Sequence, residues 1–216
     1  MRILSATRTI QQTKVAVESE LVSEIKRKRI GLLGGTFNPP HLGHLIMAEQ
    51  VCTQLGLDRV DFMPDYIPPH VDTKEAIEAK HRVAMVKAAI ASNPNFGIEL
   101  AEIKRQGKSY SYDTLVALKR AHPENQYYFI IGADMVAYLP KWYRIADLVK
   151  IVQFVGVKRP GVKIHSEYPI LWVDTPTIDL SSTLIRNKIA KHHSIRYLVP
   201  DQVLAYIKEH KLYGKK

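Results

Sequence analysis

The feature that most constrains the fold of this chain is a regular alternation of short apolar runs with longer helical segments. The runs "RIGLLGG", "RVDFMP", "QYYFIIGAD" and "IVQFVGVKRPG" are nearly continuous, which is typical of parallel strands buried on both faces. Segments such as "HLGHLIMAEQVCTQLG" and "SYDTLVALKRAH" between them have helical spacing. The alternation predicts an α/β protein with a Rossmann-like, doubly wound, mainly parallel sheet and helices on both faces.

The remaining segments extend the same pattern. We predict helices at "KEAIEAKHRVAMVKAAIAS", "KWYRIADLVK", "SSTLIRNKIAKHH" and "PDQVLAYIKEHKL", and strands at "FGIELAEI" and "YPILWVD". In such a sheet, ligands bind beyond the carboxyl ends of the strands, where the strand order reverses. Functional residues are therefore expected just after the strands.

Length and composition suit one globular domain over residues 29–216. Residues 1–28 are predicted to be an N-terminal extension, helical or loosely ordered. No secretory signal or membrane span is recognised, and the single cysteine, Cys52, fits a cytoplasmic location. The net charge of +10 predicts anionic partners, among which nucleic acid, an acidic membrane surface and phosphorylated small molecules remain open.

The loop "GGTFNPPHLGH" follows the first predicted strand. Gly34 and Gly35 let the backbone approach a ligand, and the helix that follows presents unpaired N–H groups to an anion. His41 and His44 lie three residues apart at the start of this helix and point at the same volume. The loop therefore predicts a phosphate site, although it matches neither the dinucleotide fingerprint nor the P-loop.

A second anion site is predicted at "TIDLSSTLIR". Ser181, Ser182 and Thr183 can cap a helix and donate hydrogen bonds, and Arg186 lies one turn beyond Ser182 with a guanidinium suited to phosphate oxygens. No nucleophile and no dedicated metal site is predicted. Adjacent helical residues diverge, so the pair His192-His193 favours a solvated surface over a metal site.

"GGTFNPPHLGH" resembles the nucleotidylyltransferase signature, whose HxGH element is shared with class I aminoacyl-tRNA synthetases. "LSSTLIR" resembles the "ISSTxIR" motif of the same superfamily. The resemblance implies that His41 and His44 contact the phosphates of ATP and stabilise charge during attack on the α-phosphorus. It also implies that Arg186 binds the β- and γ-phosphates of ATP. These three are the predicted catalytic residues, and the predicted ATP site adds Gly34, Gly35, Thr36, Phe37, Gly132, Asp134, Ser181, Ser182 and Thr183.

Further segments resemble bacterial nicotinate-nucleotide adenylyltransferases, which make deamido-NAD from ATP and nicotinate mononucleotide. They are "FMPDYIPPH", "HRVAMVKAA", "GKSYSYDTL", "FIIGADMVAYLPKW", "VKRPG" and "YLVP", and the resemblance covers Arg29 to the C-terminus. It implies that Gly132 and Asp134 hold the adenylyl ribose and base, and that Trp142 stacks on the pyridine ring. Backbone donors at Tyr143 and near Ser111 are expected to receive the nicotinate carboxylate.

Two smaller expectations concern basic residues. Val71 stands where the family often has a lysine, with Lys74 nearby. Lys158 and Arg159 either border the adenine or form an exposed turn.

The resemblance implies an enzyme of NAD biosynthesis that uses Mg²⁺ with ATP and has no tightly bound protein cofactor. One alternative is an adenylyltransferase that prefers nicotinamide mononucleotide. Another is a nucleic-acid-binding protein that uses its basic surface, such as the run Lys26–Arg29. Because interleaved aromatic and basic RNA-binding motifs are missing, a nucleic acid is not an expected partner. A membrane is not expected either, since no apolar run is long enough to span one. Whether the chain forms a homo-oligomer stays open.

Overall fold

The computed structural model describes residues 27–68, 76–158, 166–176 and 178–214. Almost all of the predicted N-terminal extension, 1–28, lies outside the described residues. Val71, Lys74 and Arg159 also lie outside them.

Within the described residues, six strands form one sheet in the order β3-β2-β1-β4-β5-β6, and every pair is parallel. The order reverses between β1 and β4, so the carboxyl ends of these two strands lie side by side and both end in glycine. The parallel, doubly wound sheet confirms the predicted fold class. The strands are β1 (Arg29–Gly35), β2 (Arg59–Pro64), β3 (Phe96–Ile98), β4 (Gln126–Gly132), β5 (Gln153–Val157) and β6 (Ile170–Val173).

Helices cover both faces of the sheet, and each face has its own apolar core. α1, α2, α7 and α8 pack on one face, and α4 and α6 pack on the other. No helix in the described ranges is long and apolar enough to cross a membrane. The helices are α1 (Leu42–Gln54), α2 (Ala79–Ile90), α3 (Ala101–Arg105), α4 (Ser111–Ala121), α5 (Ala133–Val136), α6 (Ile145–Ile151), α7 (Ser182–Ala190) and α8 (Asp201–Glu209), with a 3₁₀ turn at Leu139–Lys141.

Several element boundaries differ from the prediction. α6 begins at Ile145 rather than at Lys141, and α7 and α8 each end three residues before the predicted segments do. "FGIELAEI" forms a strand only over Phe96–Ile98, because α3 begins at Ala101, whose N–H donates to the carboxylate of Glu99 at 2.8 Å. α2 begins at Ala79 rather than near residue 74, since Glu78 has an extended ψ of 141°. α6 continues to residue 151, so β5 starts two residues later than predicted.

Candidate active site

The loop after β1 is anchored by a buried aromatic ring. Phe37 has a left-handed backbone, with φ of 49°, and its ring packs against Phe62 at 5.6 Å and edge-on against His44 at 5.0 Å. A side chain at Gly35 would meet this ring, because a Cβ there would lie 3.3 Å from its Cζ. Phe37, predicted to bind ATP, thus fixes the loop from inside the core.

His41 and His44 form a stacked pair at the N-terminus of α1. Their ring centroids lie 3.7 Å apart with an interplanar angle of 27°. The His41 N–H donates to Nδ1 of His44 at 3.2 Å, which leaves the proton of a neutral His44 ring on Nε2. Burial, helped by the neighbouring His41, holds the pKa of His44 well below its ordinary value. His44 is therefore a neutral N–H donor in the ligand-free protein at neutral pH.

The glycine between the two histidines leaves room for the His41 ring. A Cβ at Gly43 would lie 3.1 Å from Nδ1 and 3.2 Å from Cε1 of His41. Such contacts are tighter than ordinary van der Waals packing, so a larger residue would displace the ring. This gives a steric reason for glycine in "HLGH".

The start of α7 is joined to the loop after β1, as the two predicted anion motifs require. Ser181 caps the helix by accepting from the Leu184 N–H at 3.2 Å, and Ser182 Oγ donates to the carbonyl of Pro39 at 2.8 Å. Arg186 donates from Nη1 to the carbonyl of Asn38 at 2.9 Å and from Nη2 to Oγ1 of Thr183 at 3.2 Å. The structure thus brings both motifs together, with Arg186 oriented by the loop.

A cavity of about 270 Å³ opens between α1 and α7, and we call it the first cavity. Both histidines of the stacked pair and the first serines of α7 line it. Lys158 borders it and forms an ion pair with Asp174, with Nζ 3.3 Å from Oδ1. Its lining residues include His41, Gly43, His44, Met47, Lys158, Ser181 and Ser182.

A second cavity of about 330 Å³ lies at the carboxyl ends of β1 and β4. His44 and Met47 line this cavity as well as the first, so the two cavities share a wall. Gly132 and Asp134, predicted to hold the adenylyl group, line the second cavity, and Asp134 folds back over Gly132, where a Cβ would lie 2.7 Å from its Oδ1. Its other polar and aromatic lining residues include Thr36, Asp65, Glu102, Ser111 and Trp142.

The aromatic segment before α6 presents one of its two predicted residues to the second cavity. Trp142 lines this cavity and packs edge-on against Phe129, with centroids 5.7 Å apart. Tyr143 is 47% exposed, and its ring instead contacts Tyr110, at 4.8 Å between ring centroids. Any role of Tyr143 toward a ligand in this cavity would therefore fall to its backbone.

Two charged residues beneath the second cavity were not singled out from the sequence. Arg82 is 2% exposed and donates to the carbonyls of Thr36 and Asp65, at 2.9 and 2.8 Å. Asp65 accepts from Thr36 Oγ1 at 2.7 Å, and burial raises the pKa of its carboxyl. The sequence does carry signals for both, because Asp65 directly follows β2, and Arg82 shares the buried face of α2 with Met85 and Val86.

A further acid, Glu102, was missed because its segment was predicted as strand. It lies in α3, lines the second cavity, and accepts a hydrogen bond from Thr114 Oγ1 at 3.0 Å. Burial raises the pKa of this carboxyl as well. Glu102 and Asp65 thus give the floor of the cavity two buried carboxyl groups.

Metal ligands are not clustered in the part of the chain that the structure describes. No three His, Cys, Asp or Glu side chains there are placed to hold an ion. His192 and His193 are exposed and follow the last residue of α7, Ala190.

The Cytidylyltransferase-like family model matches residues 32–188. A protein of Lactiplantibacillus plantarum named "Probable nicotinate-nucleotide adenylyltransferase" is 60% identical over 205 residues, covering 95% of this chain and 97% of the relative. A protein of the same name from Enterococcus faecalis is 55% identical over 203 residues, covering 94% of this chain and 93% of the relative.

Solved structures share the fold. Plasmodium falciparum nicotinic acid mononucleotide adenylyltransferase complexed with NaAD has a TM-score of 0.72 and 21% identity, covering 86% of this chain and 97% of that chain. The same protein complexed with APC has a TM-score of 0.71, 20% identity and the same coverage of both chains. Family model and close relatives agree, and the chain therefore belongs to the nicotinate-nucleotide adenylyltransferases, a family of cytidylyltransferase-like nucleotidyltransferases.

Proposed function

We propose that this protein transfers the adenylyl group of ATP to nicotinate mononucleotide, giving deamido-NAD and pyrophosphate, a step of NAD biosynthesis. The observation that carries the proposal is the wall shared by the two cavities, with His44 between them. The first cavity has the N-termini of α1 and α7 at its edge, and the second cavity is lined by the indole ring of Trp142 and by polar side chains. The names of the close relatives support the same substrates.

In the proposed reaction, a phosphate oxygen of nicotinate mononucleotide attacks the α-phosphorus of ATP. The bond from that phosphorus to the oxygen bridging to the β-phosphate breaks, and pyrophosphate leaves. The substrate supplies the nucleophile, so the protein has to supply position and electrostatic stabilisation. Nε2–H of His44, on the wall between the cavities, is suited to donate to a non-bridging oxygen of the α-phosphate.

The first cavity is the proposed site of the ATP polyphosphate. The N-termini of α1 and α7 face an anion favourably, and His41 and Ser181 add side-chain hydrogen-bond donors. The Ser182 hydroxyl already donates to the carbonyl of Pro39, so Ser182 is proposed to contribute its backbone N–H. Arg186 is proposed to contribute positive charge beside the loop that it orients. Mg²⁺ is proposed to enter with ATP, held mainly by phosphate oxygens and water, which needs no preformed cage of protein ligands.

The second cavity is the proposed site of nicotinate mononucleotide. Trp142 offers a ring face for the pyridine, and backbone donors near Ser111 and at Tyr143 are proposed to receive the carboxylate. Gly132 and Asp134 line the same cavity as His44, so we propose that they contact the nucleotide where the adenylyl ribose meets the acceptor.

The test is a direct assay of purified protein with ATP, Mg²⁺ and nicotinate mononucleotide, with deamido-NAD and pyrophosphate measured separately. Nicotinamide mononucleotide and pantetheine phosphate serve as competing acceptors in parallel reactions. We expect deamido-NAD, and a kcat/KM for the amide acceptor that is lower by at least about 100-fold, because a site built for a carboxylate leaves donors unpaired against a neutral amide. Failure to form deamido-NAD while another acceptor is used would overturn the proposal.

A further inference from the structure

A tyrosine near the C-terminus reaches the loop that precedes the two histidines. Tyr213 lies four residues beyond the end of α8, and its hydroxyl donates to Oδ1 of Asn38 at 2.8 Å. The contact joins residues separated by 175 positions in the chain. Leu212 secures the same segment by donating its N–H to the carbonyl of Ile207 at 3.0 Å and by packing on the core.

Asn38 is held from two directions. Its side chain meets Tyr213, and its carbonyl accepts from Arg186, the residue that α7 contributes to the loop. Asn38 is 6% exposed, so its Oδ1 would be left buried without a hydrogen-bond donor if the tyrosine hydroxyl were removed. Burial raises the pKa of Tyr213, so its hydroxyl remains a donor throughout the neutral range.

We infer that Tyr213 is a positioning residue for adenylyl transfer. Its hydroxyl fixes Asn38, and through Asn38 the turn that sets His41 and His44 against the two cavities. The inference rests on the proposed function, because it assigns Tyr213 to the same site. Tyr213 touches neither cavity and acts through the loop alone.

The helix that precedes Tyr213, α8, provides a matched control. Tyr206 lies on α8, and its hydroxyl is 3.0 Å from Nδ1 of His81 on α2. This contact also fastens the C-terminal helix to the body of the protein, but it does not reach the loop after β1. Tyr206→Phe therefore removes an equivalent hydroxyl from C-terminal docking and leaves Asn38 untouched.

The first experiment compares Tyr213→Phe and Tyr206→Phe in steady-state assays with ATP and nicotinate mononucleotide. We expect Tyr213→Phe to lower kcat/KM for ATP by about 10-fold, because a buried acceptor loses its partner, and Tyr206→Phe to stay within about twofold of wild type. Wild-type activity in Tyr213→Phe would overturn the inference. An equal loss in both variants would also overturn it, because the effect would then come from general docking of α8.

A double-mutant cycle with Asn38→Ala isolates the contact. If Tyr213 acts through Asn38, Tyr213→Phe causes no further loss of kcat/KM in the Asn38→Ala background. An additive loss in the double variant would overturn the inference.

Amide hydrogen exchange supplies a readout that does not depend on activity. We expect faster exchange in the segment 36–44 for Tyr213→Phe than for Tyr206→Phe, and equal exchange would count against the inference. If the wild-type protein makes no deamido-NAD, the proposed function fails, whereas the exchange comparison still decides whether Tyr213 orders the loop.

Discussion

Nη1 of Arg82 lies 3.2 Å from Oδ1 of Asp65 in an ion pair beneath the second cavity, and both residues are buried. The same arginine also donates to the carbonyls of Thr36 and Tyr66. A single side chain of α2 therefore fixes the loops that follow β1 and β2. The walls of the second cavity depend on this arginine, although it does not line the cavity itself.

Replacing Arg82 with methionine should destabilise the protein strongly. The substitution leaves the Asp65 carboxylate and several carbonyls buried without their donor, and loss of one partner of a buried ion pair costs about 3–5 kcal/mol. The free energy of unfolding from urea denaturation measures the effect. Lys80→Met, which removes an exposed ion pair with Glu78 at the start of the same helix, is the control and should change little. A similar result for both variants would contradict the assignment.

Gly43→Ala should lower activity with little effect on stability. Alanine favours a helix interior over glycine by about 0.5–1 kcal/mol, but Gly43 lies in the first turn of α1 and a Cβ there meets the buried His41 ring. The two effects oppose each other, so the thermal midpoint should change little. The new methyl group would press on the His41 ring, and we expect kcat to fall by at least about 10-fold, because small misplacements of catalytic groups are costly.

Gly43→Ala in a His41→Ala background tests whether the loss of kcat comes from displacement of the His41 ring. With the ring removed, Gly43→Ala should have no further effect on kcat. Equal losses with and without the imidazole would show that the methyl group acts on something else.

His44 should make stability depend on pH. Its pKa lies well below the ordinary 6.5 in the folded protein, so below about pH 6.5 the unfolded chain binds a proton that the folded state does not. This contribution is complete above about pH 6.5 and is lost as the pH falls toward the folded pKa. The raised pKa values of Asp65 and Glu102 make stability depend on pH in the opposite sense. A His44 variant retains both acids, so a comparison with the wild type isolates the contribution of His44.

The comparison is wild type with His44→Asn. Urea denaturation from about pH 7 to pH 5 should show a smaller loss of unfolding free energy in the variant. Parallel profiles would mean that His44 titrates alike in the folded and unfolded states.

Trp142→Ala should act on the acceptor rather than on ATP. Loss of the ring face should raise KM for nicotinate mononucleotide by about 10-fold, on the scale of an aromatic stacking contact, and leave KM for ATP within about twofold. Trp142→Phe keeps a ring and the packing against Phe129, so it should recover most of the affinity. An equal rise of both KM values in Trp142→Ala would argue against a place in the acceptor site.

The sheet was predictable because its inner strands are buried on both faces and carry continuous apolar runs. Strand β3, at the edge of the sheet within the described residues, was predicted too long, because α3 begins at Ala101, where the backbone N–H donates to the Glu99 carboxylate. Hydrophobic periodicity cannot reveal such a local change of backbone hydrogen bonding.

The loop after β1 and the start of α7 were predictable because glycines, histidines and serines have distinct chemistry at the ends of strands and helices. Arg82 and Tyr213 were not, because their roles depend on contacts between segments far apart in the chain. Sequence position alone also could not show that Phe37 turns its ring into the core while Thr36 lines a cavity.

The wall that His44 and Met47 share between the two cavities has a consequence for turnover. Two separate substrates each lose their translational freedom on binding, whereas the joined dinucleotide loses it once and keeps most contacts of both halves. Formation of the new phosphate bond therefore converts two modest ligands into one that dissociates more slowly. Dissociation of deamido-NAD, rather than bond formation, is then expected to be the rate-limiting step of the catalytic cycle.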